Sequence, residues 1–170
     1  MSLIKALKGF FVGVSAIAAT AHAGPTIETN SLRLTLPDRW VTDLKRKPVS
    51  ARGPRSELLQ LSVSSVSGQG SAQEARTVIQ KVEERALAAL QAGEKDSGFK
   101  VTAPLKAEKL PNGSNLHRSV ATSSDGTKML ASFVVAGPRT VVLATLDLPS
   151  VAAASIEVIA ASLKNIQWAQ

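Results

Sequence analysis

The fold of this chain is decided by the stretch FKVTAPLKAEKLPNGSNLHRSVATSSDGTKMLASFVVAGPRTVVLATLDL, residues 99–148. Apolar and polar residues alternate along four segments of this stretch, a period that is typical of strands. The segments lie near 99–109, 116–123, 128–136 and 140–148. Asn-Gly, Asp-Gly and Gly-Pro pairs separate them, and the first two pairs are strong hairpin signals because they tolerate the positive φ of a tight turn. The stretch therefore predicts a four-stranded antiparallel meander.

One amphipathic helix precedes the meander and a second one follows it. Ser71 and Glu74 form a capping-box pattern at the start of the first helix, which ends near Gly93. Ser150, directly after Pro149, is the expected N-cap of the second helix. Apolar residues recur at spacings of three and four in both helices, which gives each helix one face to bury. These faces consist of Ala75, Val78, Ile79, Val82, Ala86, Ala89 and Leu90 in the first helix and of Val151, Ile156, Ile159, Ala160, Leu163 and Ile166 in the second.

Two further strands are predicted before the first helix. Residues 32–36 alternate apolar and polar residues up to Pro37, which cannot donate to a ladder, and Leu59, Leu61 and Val63 alternate with polar residues in the next strand. The predicted order is β-β-α-β-β-β-β-α. A helix with one apolar stripe must bury it against another layer, so we predict the α+β class, with a mostly antiparallel sheet of about six strands flanked by the two helices on one or both faces.

The first 23 residues have the pattern of a cleaved secretory signal. Lys5 and Lys8 precede an apolar run, 9–19, which is shorter than the roughly 20 residues that a membrane-spanning helix needs. Ala-His-Ala at 21–23 fits a signal-peptidase site. We therefore expect a single domain, 24–170, exported to the periplasm. Because the chain has no cysteine, we expect no lipid anchor and no thiolate metal site.

Positive charge is concentrated in one part of the sequence. The formal net charge of +7 falls to +5 without Lys5 and Lys8, and an equal excess of +5 lies between residues 33 and 55. The densest part, 45–55, has two prolines, one glycine, five bases and no acid, which predicts an exposed loop that attracts anions. The five predicted anion-binding or partner-binding residues are Lys45, Arg46, Lys47, Arg52 and Arg55.

The anions within reach of an exported protein are membrane head groups, envelope glycolipids and acidic protein surfaces. Segment 45–55 has no interleaved aromatic residue that could stack on bases, so we predict no nucleic-acid partner. A solvated basic loop without a specific partner stays open as the alternative, because runs of charge often have none.

Two local motifs, together with the element order, resemble the PsbP/DcrB-like family of α/β/α sandwiches. The first is Leu-Thr-Leu-Pro-Asp-Arg-Trp at 34–40, since members commonly show an alternating strand that runs into Pro-x-Gly-Trp. The second is the terminal Ile-Ala-Ala-Ser-Leu helix at 159–163, which leads to Trp168 shortly before the chain ends. Arg39 stands where the family usually has glycine, so the turn before Trp40 is open to a different construction.

The resemblance covers roughly 26–168 and implies an exported bacterial member, without the lipid-attachment cysteine of many relatives. Members of the family mostly act as accessory, assembly or chaperone-like binding proteins, so the resemblance implies a protein that is not an enzyme. We expect Trp40 and Trp168 to close the core, each with its indole N–H reaching solvent or a carbonyl.

The residue types of a catalytic or metal site are scarce in this sequence. His117 is the one histidine outside the predicted signal, and we interpret it as a strand-surface histidine because a nucleophilic serine needs a histidine and an acid beside it. Glu83 and Glu84 are interpreted as solvated helix residues. Gly-Gln-Gly at 68–70 lacks the remaining residues of a phosphate-binding motif. We therefore predict no catalytic residue, no metal site and no cofactor.

These observations predict a periplasmic, non-enzymatic binding or accessory protein that engages an envelope protein, with the basic loop or a sheet face as the contact. An immunity-type or chaperone-like protein that neutralises a cognate effector is the first alternative. A small hydrolase that uses His117 with a strand serine is the second. Anionic membrane surface is a further candidate partner of the basic loop.

Overall fold

The predicted meander forms more than half of a seven-stranded antiparallel sheet. The computed structural model describes residues 24–66, 71–96, 98–111 and 113–169, so the predicted signal at 1–23 and the glycine pair at 68–70 lie outside the described residues. The elements are β1 (Thr26–Glu28), β2 (Leu32–Thr35), β3 (Val41–Asp43), β4 (Val49–Arg52), β5 (Leu58–Ser65), α1 (Ala72–Asp96), β6 (Lys100–Lys109), β7 (Asn115–Thr122), β8 (Lys128–Ala136), β9 (Thr140–Pro149), a 3₁₀ turn (Ser150–Ala152), α2 (Ser155–Lys164) and β10 (Gln167–Trp168).

The large sheet has the spatial order β3-β4-β5-β9-β8-β7-β6, with every neighbouring pair antiparallel. The α+β class and the four-stranded meander are therefore confirmed. The number of strands is larger than predicted, because β3 and β4 extend the large sheet and a separate sheet holds β1, β2 and β10. Segment 45–55 is thus not one loop: it contains β4, in which Ser50 and Ala51 are buried.

The two helices cover opposite faces of the large sheet, which makes three layers. Along β8, Phe133 and Val135 belong to the larger core with Ile159 and Leu163 of α2. The intervening Val134 and Ala136 belong to a smaller core with residues of α1, including Ile79. Successive side chains of a strand point to opposite faces, so one strand serves both cores. Within the described residues, neither helix combines the length and the apolar character that a bilayer crossing requires.

The first predicted strand does not join the large sheet. β2 pairs with β1 and β10 in a small sheet, which packs beside α2 and contributes Leu32 and Leu34 to the larger core. Trp168 of β10 lies against Gly137 so closely that a Cβ on this glycine would overlap the indole ring. The indole Nε1 of Trp168 is buried and has no hydrogen-bond partner among the described residues. The expectation that this N–H reaches solvent or a carbonyl is therefore wrong.

The start of α1 forms as the sequence predicts, and the start of α2 does not. The amide of Ser71 donates to Glu74 Oε2 at 2.8 Å, and the amide of Glu74 donates to Ser71 Oγ at 3.2 Å, so the predicted capping box forms. Ser150 does not cap α2: its hydroxyl donates to the carbonyl of Gly126, and a 3₁₀ turn separates it from the helix. As a consequence Val151 points away from the core and is 87 % exposed.

Arg39 explains how the turn before Trp40 is built without glycine. Its backbone φ is +65°, which lies in the left-handed region that glycine occupies without strain and other residues occupy at a cost. Asp38 Oδ1 accepts the amide N–H of Arg39 at 2.9 Å and supports this conformation. The turn therefore keeps the left-handed backbone conformation that a glycine would favour. With arginine at this position, that conformation lowers the stability of the folded state.

We expect Arg39→Gly to raise the free energy of unfolding by about 0.5–1 kcal/mol, because glycine removes the cost of the left-handed conformation. Urea denaturation of the two proteins measures this change. Arg39→Ala is the matched control, since it removes the long side chain and keeps a Cβ at positive φ. An equal gain from both variants would show that the side chain of Arg39, and not its backbone, is the source of the cost.

Candidate interaction surface

Residues 44–48 connect β3 to β4 and form the hairpin tip. Lys45, Arg46 and Lys47 are all exposed there, next to Leu44, which is 51 % exposed. Asp43 organises the tip, because its Oδ1 accepts the amide N–H of Lys45 at 3.2 Å. Its Oδ2 lies 3.9 Å from Nε of Arg46, and both side chains are more than half exposed. The tip thus presents three adjacent positive charges and one neighbouring carboxylate.

The five predicted anion-binding residues do not share one surface. Arg52 is the last residue of β4 and pairs with Leu58, so it lies about 10 Å along the strand from Val49 at the tip end. Arg55 lies in the turn between β4 and β5, where its guanidinium contacts Glu57 and Ser155. The structure therefore brings Lys45, Arg46 and Lys47 together and places Arg52 and Arg55 at the opposite end of β4.

Arg55 belongs to a polar cluster around Glu57, a residue that no sequence pattern singled out. The Glu57 side chain is 1 % exposed, and its Oε1 accepts a hydrogen bond from Ser155 Oγ at 2.6 Å. Its Oε2 accepts the amide N–H of Arg55 at 2.6 Å. Nη2 of Arg55 in turn donates to Ser155 Oγ at 3.1 Å, and Nε of Arg55 lies 3.5 Å from Glu57 Oε1. The cluster joins the β4–β5 turn to the first residue of α2.

In this cluster the hydrogen bonds to the Glu57 carboxylate, together with the nearby guanidinium, lower its pKa by more than burial raises it. Burial by itself raises the pKa of Glu57, but the hydroxyl of Ser155, the amide of Arg55 and the nearby guanidinium favour the carboxylate and bring the net pKa below its ordinary value of 4.5. Glu57 is therefore a charged structural residue. Arg55 pairs with it inside the fold, and about half of the Arg55 side chain stays exposed.

His117 is not a surface histidine, and Glu83 is not fully solvated. His117 Nε2 and Glu83 Oε1 are 2.9 Å apart between β7 and α1, with side chains that are 15 % and 18 % exposed. The interpretation of both as solvated surface residues is wrong, because Glu83 of α1 and His117 of β7 cover each other in this contact. The contact supplies the acid that a histidine base requires, and Glu83 also lines a surface groove with Asn115 and Gly137. A hydrolase of this kind further requires a nucleophilic serine beside the histidine.

Two further features of the described residues concern the binding of metal ions and of anions. No group of three or more His, Asp or Glu among them could hold a metal ion. At the start of α1 the amide and the hydroxyl of Ser71 both bind Glu74, so the side chain of this helix already occupies the position where an anion would bind.

The three layers, with α1 on one face of the sheet and α2 beside a small sheet on the other, define a PsbP-like sandwich. The chain is similar to a solved structure of this class, the solution structure of cyanobacterial PsbP (CyanoP) from Synechocystis sp. PCC 6803, with 14 % sequence identity and a TM-score of 0.50. The match covers 92 % of this chain and 98 % of that one, and at this identity it shows the fold alone. No protein-family model matches the chain, and no curated protein matches it. A DcrB-like relationship and export stay predictions.

Proposed function

We propose that this protein is a non-enzymatic accessory protein of the periplasm that binds an acidic protein of the envelope through the hairpin tip. The observation that carries the proposal is the exposure of Lys45, Arg46 and Lys47 side by side in the turn between the edge strand β3 and β4. The PsbP-like fold and the secretory pattern at 1–23 support the class of protein and the compartment.

The physical chemistry of the tip suits a reversible contact with an acidic surface. The ion pair of Arg46 with Asp43 is long and exposed, and such pairs contribute only about 0–1 kcal/mol, so a partner carboxylate can replace Asp43. Leu44 at the tip is 51 % exposed and adds apolar area that a partner can cover. Complementary charge mainly speeds encounter and selects partners.

The proposal predicts that reversing the tip charges weakens the complex. We expect the triple variant Lys45→Glu, Arg46→Glu, Lys47→Glu to bind the envelope protein about tenfold more weakly, because three exposed contacts of roughly 0.5 kcal/mol each are lost. The effect should be larger at low salt, where screening is weak. The protein is immobilised, its envelope partner is captured and identified, and the affinity of the purified pair is measured for each variant.

Two variants serve as controls for this experiment. Arg52→Glu makes the same kind of charge change at the far end of β4 and should weaken binding less than the tip variant does. Asp43→Asn removes the one carboxylate next to the tip and should strengthen binding. The proposal is wrong if the triple variant binds as the parent does, or if the parent binds only vesicles that contain anionic phospholipid and no envelope protein.

A further inference from the structure

A groove of about 610 Å³ lies between α2 and the strands β6 and β7. We call it the α2 groove. Its walls are mainly apolar and include Pro104 of β6, Val120 of β7, Met129 of β8, Ile156 of α2 and Ala153, which lies just before α2. Its volume is within the range of sites that enclose small ligands, which are mostly apolar with a few polar groups. The hairpin tip is at the other edge of the large sheet, since β3 and β6 are its two edge strands.

The groove lies between α2 and an irregular part of the edge strand β6. α2 packs over the middle of the sheet, where Ile159 and Leu163 join the larger core. β6 is an edge strand whose pairing with β7 slips between Ala103 and Lys106, and Pro104 sits in this irregular part. A bulge bends a strand, and the groove lies between this bent part of β6 and α2. The floor is formed by Val120, which belongs to the larger core.

Three charged residues line the α2 groove, Lys106, Arg118 and Glu157, and they meet at one end of it. Arg118 Nη1 binds Glu157 Oε1 at 2.5 Å across that end, and Lys106 pairs in register with Arg118. Two cations and one acid leave an excess of one positive charge there. The opposite end lies near Met129, which pairs with Thr122 of β7. From Arg118 to Thr122 the strand spans about 13 Å.

We propose that the α2 groove binds a single-chain amphiphile with an anionic head group, of the kind represented by a free fatty acid. The carboxylate would lie between Lys106 and Arg118, whose charge complements it. The hydrocarbon chain would run along β7 over Val120 toward Met129. A length of about 13 Å accommodates an extended chain of roughly ten carbon atoms. This site is separate from the hairpin tip and does not depend on the proposed partner.

Calorimetric titration with octanoate and decanoate, below the concentrations at which they form micelles, tests the site. We expect one molecule of decanoate per chain and an affinity that rises roughly fourfold for each added methylene, since each buried CH₂ contributes about 0.8 kcal/mol. Lys106→Glu should weaken decanoate binding severalfold and leave the binding of decanol unchanged. If Lys106→Glu has no effect, or if decanol and decanoate bind equally well, the charged end does not recognise the head group.

A pair of variants on β6 provides the steric test. Ala103→Trp places an indole in the groove from its solvent side and should lower the affinity for decanoate at least tenfold. Val101→Trp is the matched control, because Val101 pairs with Ala121 and Ala103 with Val120, adjacent residues of β7 that face opposite sides. Circular dichroism shows whether both variants are folded. The absence of saturable decanoate binding by the parent, or undiminished binding by Ala103→Trp, would overturn the proposal.

Discussion

Glu57→Ala is expected to lower the free energy of unfolding by about 2–4 kcal/mol. The substitution removes a carboxylate that accepts hydrogen bonds from Ser155 Oγ and from the amide of Arg55. Hydrogen bonds to charged groups contribute about 1.5–3 kcal/mol each, and buried donors that lose their acceptor are costly. Arg55 partly offsets the loss, because its guanidinium is half exposed and can turn toward water. Urea denaturation at neutral pH measures the change.

The same carboxylate makes stability depend on pH in the acid range. The folded-state pKa of Glu57 is lowered, with the opposing effect of burial overcome by the bonds from Ser155 and Arg55. A lowered pKa stabilises the folded state above the unfolded pKa, and this stabilisation is lost as the pH falls through the folded value. We therefore expect the difference between the parent and Glu57→Gln to shrink as the pH falls below about 4.

Glu28→Ala is the control for both experiments, because Glu28 is an exposed glutamate on β1. Its effect on the free energy of unfolding should stay within about 0.5 kcal/mol at every pH. A loss of less than about 1 kcal/mol for Glu57→Ala would contradict the assigned role of the cluster. So would a difference between Glu57→Gln and the parent that stays constant through the acid range.

The parts of the fold that could be predicted are those whose cause is local in sequence. β8 begins at Lys128 and ends at Ala136 as predicted, because the turn residues Asp-Gly at 125–126 and Gly-Pro at 137–138 bound it in the local sequence. The capping box forms because Ser71 and Glu74 are three positions apart on one helical turn. The turn between β7 and β8 contains the predicted Asp125 and Gly126. There the Ser123 hydroxyl and the amide and hydroxyl of Thr127 bind Asp125, which lowers the pKa of its carboxyl to about 2.

The features that could not be predicted depend on residues that are distant in sequence. Glu57 meets Ser155 across 98 positions and Glu83 meets His117 across 34, and no periodicity indicates that either pair is in contact. The basic run looked like one loop because prolines and charges dominate its composition. The strand β4 within it, Val-Ser-Ala-Arg, does not alternate large apolar with polar residues, since its buried pair is Ser50 and Ala51.

Strand alternation also does not say which sheet a strand joins. Residues 32–36 have the expected pattern, and Leu32 and Leu34 are buried as it indicates. Their partners are β1 and the two-residue β10, which are too short to be recognised from sequence. The small sheet therefore depends on tertiary packing beside α2, and it accounts for the unpredicted strands β1 and β10.

Trp40→Ala is expected to have the largest effect of all, a loss of about 3–5 kcal/mol in the free energy of unfolding, as is typical for large aromatic residues in a core. Trp40 is 6 % exposed and belongs to the larger core. It also lies close to the Glu57 cluster through Gly53, since a Cβ on that glycine would lie 2.9 Å from Trp40 Cζ2 and 2.5 Å from Glu57 Oε2. Removal of the indole therefore leaves a cavity and loosens the support of the β4–β5 turn.

The chain has two tryptophans and no tyrosine, so the fluorescence of Trp168 alone reports unfolding of Trp40→Ala, and far-UV circular dichroism provides a second probe. Trp40→Phe is the matched variant and should lose less, because an aromatic ring still fills much of the site. Trp40→Ala combined with Glu57→Ala should deviate from additivity, as expected for neighbours that share a packed turn. A loss below about 1 kcal/mol for Trp40→Ala would mean that the indole does not fill the core.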